Sequence, residues 1–168
     1  RREAGRPGIT LLSCDNLSDN GAQMARLLGE YLDRRNPELR AWFERECACP
    51  STMVDRIVPA TTAADRIEVE RAIGMEDHAA VVTEPFSQWV IEDRFAGPRP
   101  HWENHGAQLV ADVAPFETAK LRMLNGAHSL LAYCGLARGW TFVHEAIADA
   151  PLRELAERLL DRLADVRR

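Results

Sequence analysis

A chain of 168 residues, 46% apolar and 28% charged, is long enough to bury a real core and has ordinary globular composition. Its formal net charge of −5 argues against a nucleic-acid or anionic-membrane surface, because neither attracts further negative charge. No apolar run approaches a membrane span and no signal segment opens the chain, so the cytoplasm is the default compartment.

Ile9–Ser13, after Pro7-Gly8, reads as a short buried strand ending at Cys14-Asp15-Asn16. Ser18-Asp19-Asn20-Gly21 then offers N-cap chemistry for a helix over about 21–34. Strand, polar turn and helix follow the order of an α/β unit, whose ligands meet the carboxyl ends of strands. Asn16 therefore stands where a polar side chain could meet a ligand; the other reading is that Asp15 and Asn16 only make turn hydrogen bonds. Asn36-Pro37 opens a second helix with Leu39, Trp42 and Phe43 inward, and Pro50 ends it. Met53–Val58 alternates as a strand, with Asp55 on the apolar side beside Met53 and Ile57, where a carboxylate must be paired or functional. A turn and helix follow over 61–73. Ala79–Glu92 is the most strand-like stretch, broken at Pro85, and 95–101 is a proline-rich loop. Residues 102–110 suggest a short helix.

Pro115–Arg138 reads as one long helix. At about 100° per residue from Lys120, Phe116, Ala127, Leu131 and Leu124 fall near 320°, 340°, 20° and 40°. Glu117, His128 and Asn125 follow near 60°, 80° and about 140° on the same count. A lysine inside an apolar arc either snorkels to water or is an amine desolvated so that its pKa falls toward neutrality, fitted to exchange a proton. His128 is open between a satisfied core histidine and a site residue. Two further helices are predicted over 141–148 and 151–168. The pattern is α/β at the front and all-α at the back, divided as 1–112 and 113–168.

Cys14, Cys47, Cys49 and Cys134 read as buried free thiols, and neither they nor the five histidines have metal-ligand spacing, so no metal is expected. A zinc hydrolase is accordingly disfavoured.

Five strings occur in order: Ser13-Cys-Asp-Asn16, Ser51-Thr-Met-Val-Asp-Arg-Ile57, Thr83-Glu-Pro-Phe86, Gln88-Trp-Val-Ile-Glu-Asp93, and Lys120-Leu-Arg-x-Leu-Asn125-x-x-His128-Ser129. Together they closely resemble the polyol-specific long-chain dehydrogenase family, which includes mannitol 2-dehydrogenase and fructuronate reductase (mannonate oxidoreductase). The resemblance covers nearly all of residues 8–150. It implies the end of a Rossmann-type domain leading into a mostly helical catalytic domain. The implied activity is NAD- or NADP-dependent, metal-independent interconversion of a secondary alcohol and a ketone on a sugar alcohol or sugar acid. Lys120 falls on the family's general acid/base, Asn16 and Asn125 on its two asparagines that hydrogen-bond the reacting oxygen, and Glu117 on an acidic gate for proton exchange. Asp55 matches a polyol-contacting aspartate, and His128 lies in the family's substrate pocket.

The chain departs from the family pattern in lacking a G-x-G-x-x-G turn before Ile9, so cofactor-binding residues are not assigned. The expectation is a piece carrying the catalytic half without the cofactor half. The competing expectation is a catalytically incomplete fragment that serves as a folding or interaction module.

Overall fold

One asparagine separates the first two helices. In the computed structural model, which describes residues 1–165, α1 (Asn20–Arg35) ends where the Asn36 N–H donates to Leu32 O at 2.7 Å. The Asn36 side chain then accepts from Leu39 N at 3.0 Å and caps α2 (Pro37–Glu46), whose Pro37 occupies the first turn, where a missing N–H leaves nothing unsatisfied. Phe43 of α2 is buried, with Leu39 and Trp42 partly so.

The chain divides into two units, Arg1–Val113 and a second beginning at Ala114. The first is α/β. Its sheet has the order β1 (Thr52–Asp55), β2 (Gln88–Glu92), β3 (Gln108–Val110). β1 runs antiparallel to β2, with Thr52 opposite Ile91, and β3 runs parallel to β2. Val90 and Ile91, both fully buried, anchor the sheet's core with Met53. Between β1 and β2, α3 (Ala63–Ile73) starts at a reciprocal cap between Thr62 and Asp65 and stops at Gly74, whose φ of 76° suits glycine. α3 has no buried residue.

Several expectations need correction. Among the described residues Ile9–Ser13 forms no strand and makes a single parallel bridge, Thr10 to Ala48, because a strand exists only where a neighbour accepts its backbone groups. The strand over 53–58 stops at Asp55; Ile57 and Val58 are about half exposed. Ala79–Pro85 is not a strand, and Val81 and Val82 are exposed. Residues 102–110 form a 3₁₀ turn (Trp102–His105) and then β3 in place of a helix. Of the thiols, all free, Cys49 is buried whereas Cys14 is exposed.

The second unit is all-α. α4 (Ala114–Ala119), a π-helical turn (Lys120–Asn125) and α5 (Gly126–Ala137) replace the single α-helix expected over 115–138. α6 (Val143–Ala148) and α7 (Ala150–Asp165) pack on α5 around Leu131, Ala146, Leu152 and Ala156. A Cβ on Gly135 would lie 2.8 Å from the Ala146 side chain, so that crossing requires glycine. The end of the helix expected over 151–168, Val166–Arg168, lies outside the described residues. Among the described residues no helix is long and apolar enough to cross a membrane.

Candidate active site

The two units carry different parts of the predicted site: Asn16 and Asp55 in the first, Glu117, Lys120, Asn125 and His128 in the second.

In the first unit, Asn16 is exposed at the centre of a three-residue turn closed by Leu17 N donating to Asp15 O at 2.8 Å. The turn is braced by Ser13, whose hydroxyl accepts from Asp15 N and donates to Asp15 Oδ2, both at 3.2 Å. Asp55 is the last residue of β1, half-buried at the strand's carboxyl end and opposite Gln88. It lies on the Met53 side of the strand, as alternation predicts. Arg56 turns to the loop before β2, donating to Phe86 O at 3.0 Å.

Asn20 is the residue that local pattern-reading misses. The first turn of α1 is not capped by a side chain: Asp19, at φ 50°, instead accepts from Ser51 Oγ at 2.9 Å. Asn20 is 2% exposed; it donates to Asp15 O at 2.9 Å and Thr52 Oγ1 at 3.1 Å, and accepts from Thr52 N at 2.9 Å. Thr52 Oγ1 in turn donates to Ser13 O at 2.6 Å. Gly21 completes the clip, since a Cβ there would stand 2.5–2.6 Å from the backbone of Cys49, Pro50 and Ser51. The available sequence signal is the run Asp19-Asn20-Gly21 itself, two short polar residues and a glycine, which reads equally well as a helix start.

In the second unit the π turn decides the geometry. It takes one more residue per turn than an α-helix, so every later position lags by about 100°. With Lys120 at zero, Glu117 stays near 60°, Asn125 moves from about 140° to about 40°, and His128 moves from about 80° to about −20°. These four side chains form one stripe about 80° wide, while Leu131, Cys134 and Ala127 turn toward the packed side. The accessibilities agree with the shift: Leu131 is 6% exposed and Lys120 and Glu117 are half-buried, whereas Asn125 and His128 face solvent. The apolar arc predicted around Lys120 is thus only partly real, because Leu124 is 42% exposed. His128 is not a core histidine.

Whether these residues could hold a dinucleotide can be read at α1. The turn leading into it, Cys14-Asp15-Asn16-Leu17-Ser18-Asp19, carries two carboxylates and no glycine, and Gly21 is consumed by the contact with Cys49–Ser51. A pyrophosphate needs a glycine-rich turn and positive surroundings, so this helix start does not fit one. Among the described residues no group of three or more His, Cys, Asp or Glu is placed to hold a metal ion.

The chain thus has an α/β unit with an exposed polar turn around Asn16 near its start, and a helical unit that presents a lysine, an asparagine and a histidine on one stripe. The family model for the mannitol dehydrogenase Rossmann domain matches residues 1–104, and that for the mannitol dehydrogenase C-terminal domain matches residues 112–165. The chain belongs to the mannitol dehydrogenase family, with a Rossmann-type domain match followed by a helical region. It is 45% identical to D-mannonate oxidoreductase of Escherichia coli over 160 residues, which is 95% of this chain and 33% of that protein. Two solved structures are similar: a substrate-free D-sorbitol dehydrogenase (TM-score 0.90, 39% identity, 96% of this chain and 33% of that one) and the Pseudomonas fluorescens mannitol 2-dehydrogenase ternary complex with NAD and D-mannitol (TM-score 0.74, 38% identity, 96% and 38%). The chain spans about a third of the length of the curated relatives it matches.

Proposed function

We propose that this chain is the substrate-handling part of an NAD- or NADP-dependent oxidoreductase that interconverts a secondary alcohol and a ketone on a sugar alcohol or sugar acid. The observation that carries the reading is the stripe of Glu117, Lys120, Asn125 and His128 produced by the π turn, in a chain of the mannitol dehydrogenase family. Relatives that act on mannonate and mannitol support the substrate class.

A nicotinamide, when bound, would supply the hydride acceptor in oxidation and the donor in reduction. This chain's residues handle the proton and the oxygen. In oxidation Lys120 Nζ takes the hydroxyl proton as the C–H bond gives up its hydride, and in reduction it returns the proton. Negative charge grows on the reacting oxygen in the transition state. The carboxamides of Asn16 and Asn125 donate to it without bringing net charge, and loss of one such donor costs about 3–4 kcal/mol. Glu117, one turn before Lys120, passes the proton outward. Asp55 and His128 accept and donate hydrogen bonds to the remaining hydroxyls of the substrate. No metal takes part in this scheme. With four free thiols, the reading places the protein in the cytoplasm.

The test is turnover of mannitol, arabinitol and mannonate by the gene product as the cell makes it, with NAD and with NADP, before and after treatment with a chelator. Chelator-insensitive oxidation of one of these substrates is the expected result. No turnover of any polyol or sugar acid would favour a non-catalytic folding or interaction module, and loss on chelation would overturn the metal-independent scheme.

A further inference from the structure

We infer that Asn20 is a positioning residue for Asn16: its buried carboxamide fixes the carbonyl on which the turn around Asn16 closes. The inference rests on the reading of Asn16 as a donor to the substrate oxygen.

Asp15 O is shared. It accepts from Leu17 N at 2.8 Å, which closes the turn, and from Asn20 Nδ2 at 2.9 Å. Asn16 is the residue between those two ends, so its Cα direction follows the orientation of the Asp15 peptide. Asn20 is itself immobilised: its second N–H meets Thr52 Oγ1 and its Oδ1 accepts from Thr52 N. Thr52 is 1% exposed and sits at the start of β1, opposite the fully buried Ile91. The exposed turn is therefore tied through one amide to the rigid centre of the sheet. Ser13 O, bonded by Thr52 Oγ1 at 2.6 Å, gives the segment a second tie. The same strand carries Asp55 three residues on, so the clip sets the spacing of Asn16 and Asp55 as well.

No other side chain can do this job in the same space. The site needs two donors and one acceptor in a plane, aimed at a carbonyl, a hydroxyl and an N–H, which is the inventory of a carboxamide. Aspartate keeps the acceptor for Thr52 N and loses both donors, placing a carboxylate against the Asp15 carbonyl. Losing the Asn20 Nδ2 donor leaves the Asp15 carbonyl held by the Leu17 N–H within the turn and no longer tied to β1, so the turn can swing. A displacement near 1 Å at a reacting group can cost about a hundredfold in rate.

The experiment is a double-mutant cycle in the gene product, with Asn20→Asp, Asn16→Ala and the double variant, each assayed well below its melting temperature. Asn20→Asp is expected to lower kcat by about ten- to a hundredfold with the cofactor KM unchanged, and to lower it no further in the Asn16→Ala background. Hydrogen exchange at the Leu17 amide, measured on the chain itself, should accelerate in Asn20→Asp. Should Asn20→Asp fail to fold, Thr52→Val replaces it, with Thr52→Ser expected to restore both turnover and Leu17 protection. A full multiplicative loss in the double variant, or unchanged Leu17 exchange, would overturn the positioning role while leaving Asn16 as a donor. Full turnover by Asn16→Ala would overturn the reading of Asn16 and this inference together.

Discussion

Lys120 and Asn125 stand at the two ends of one π-helical turn, so residues five apart in sequence point within about 40° of each other; an α-helix would hold them about 140° apart. The same turn brings His128 to the other flank of Lys120. π turns inside α-helices are uncommon and gather at functional sites, because the extra residue costs backbone hydrogen-bond geometry for no gain in packing.

Removal of one residue from that turn tests its role. Deleting Arg122, which is exposed, lets the segment return to α-helix and rotates Asn125 and His128 by about 100° relative to Lys120. Circular dichroism should show helix content retained while turnover falls by about a hundredfold or more. Arg122→Ala, which keeps the length, should retain most activity. A deletion variant that folds and turns over normally would remove the turn from the mechanism.

Replacing Lys120 with Ala takes away the proposed proton acceptor and leaves the fold of α5 intact. Turnover should drop by about 10²–10⁴, with cofactor affinity, measured by fluorescence titration, nearly unchanged. Near-full turnover would exclude Lys120 as the base.

Gly21→Ala should destabilise the first unit. A Cβ there meets main-chain atoms at 2.5–2.6 Å, and backbone cannot swing aside as a side chain can. The expected loss is at the upper end of the about 1–3 kcal/mol typical of overpacking. Gly97→Ala, whose Cβ meets nothing within 4 Å, is the control and should stay within about 0.5 kcal/mol. Equal denaturation midpoints for the two variants would contradict the contact.

Acid should weaken the loop around Glu103 between about pH 4.5 and 2. Its own backbone N–H, then the His101 ring and the Arg99 guanidinium, the last two at 3.1 and 2.8 Å, hold the Glu103 carboxyl down to about 2 from an ordinary 4.5. A folded-state value below the unfolded one means that the stabilisation is complete above about pH 4.5 and fades as pH falls toward 2. Carboxyl NMR titration should give a Glu103 midpoint well below that of a free glutamate, and Glu103→Gln should flatten this part of the acid loss. A midpoint near 4.5 would show that the three contacts do not persist in solution.

The parts of the fold legible in the sequence are those encoded over a few neighbouring residues. Asn36-Pro37 stops one helix and starts the next because proline fixes φ and asparagine supplies an acceptor. Thr62, Asp65 and Gly74 mark both ends of α3 for equally local reasons. The order of α/β and then helices follows from the same kind of evidence, whereas the candidate site residues rest on the resemblance of the five strings to a family.

Tertiary structure decided the rest. Ile9–Ser13 and Ala79–Thr83 have strand-like composition, but a strand is made by its partner, and neither segment has a full one in the described chain. Asn20 looked like part of a helix cap, yet its side chain bonds Thr52, 32 residues away, a pairing that no local preference encodes. The stretch from Pro115 has α-helical periodicity throughout, and one inserted residue in a π turn leaves that composition unchanged while rotating everything after it. The sequence therefore supplied the candidate residues, through the resemblance of its strings to a family. The backbone path decided which of them share a face with Lys120, because direction around a helix accumulates from every turn before it.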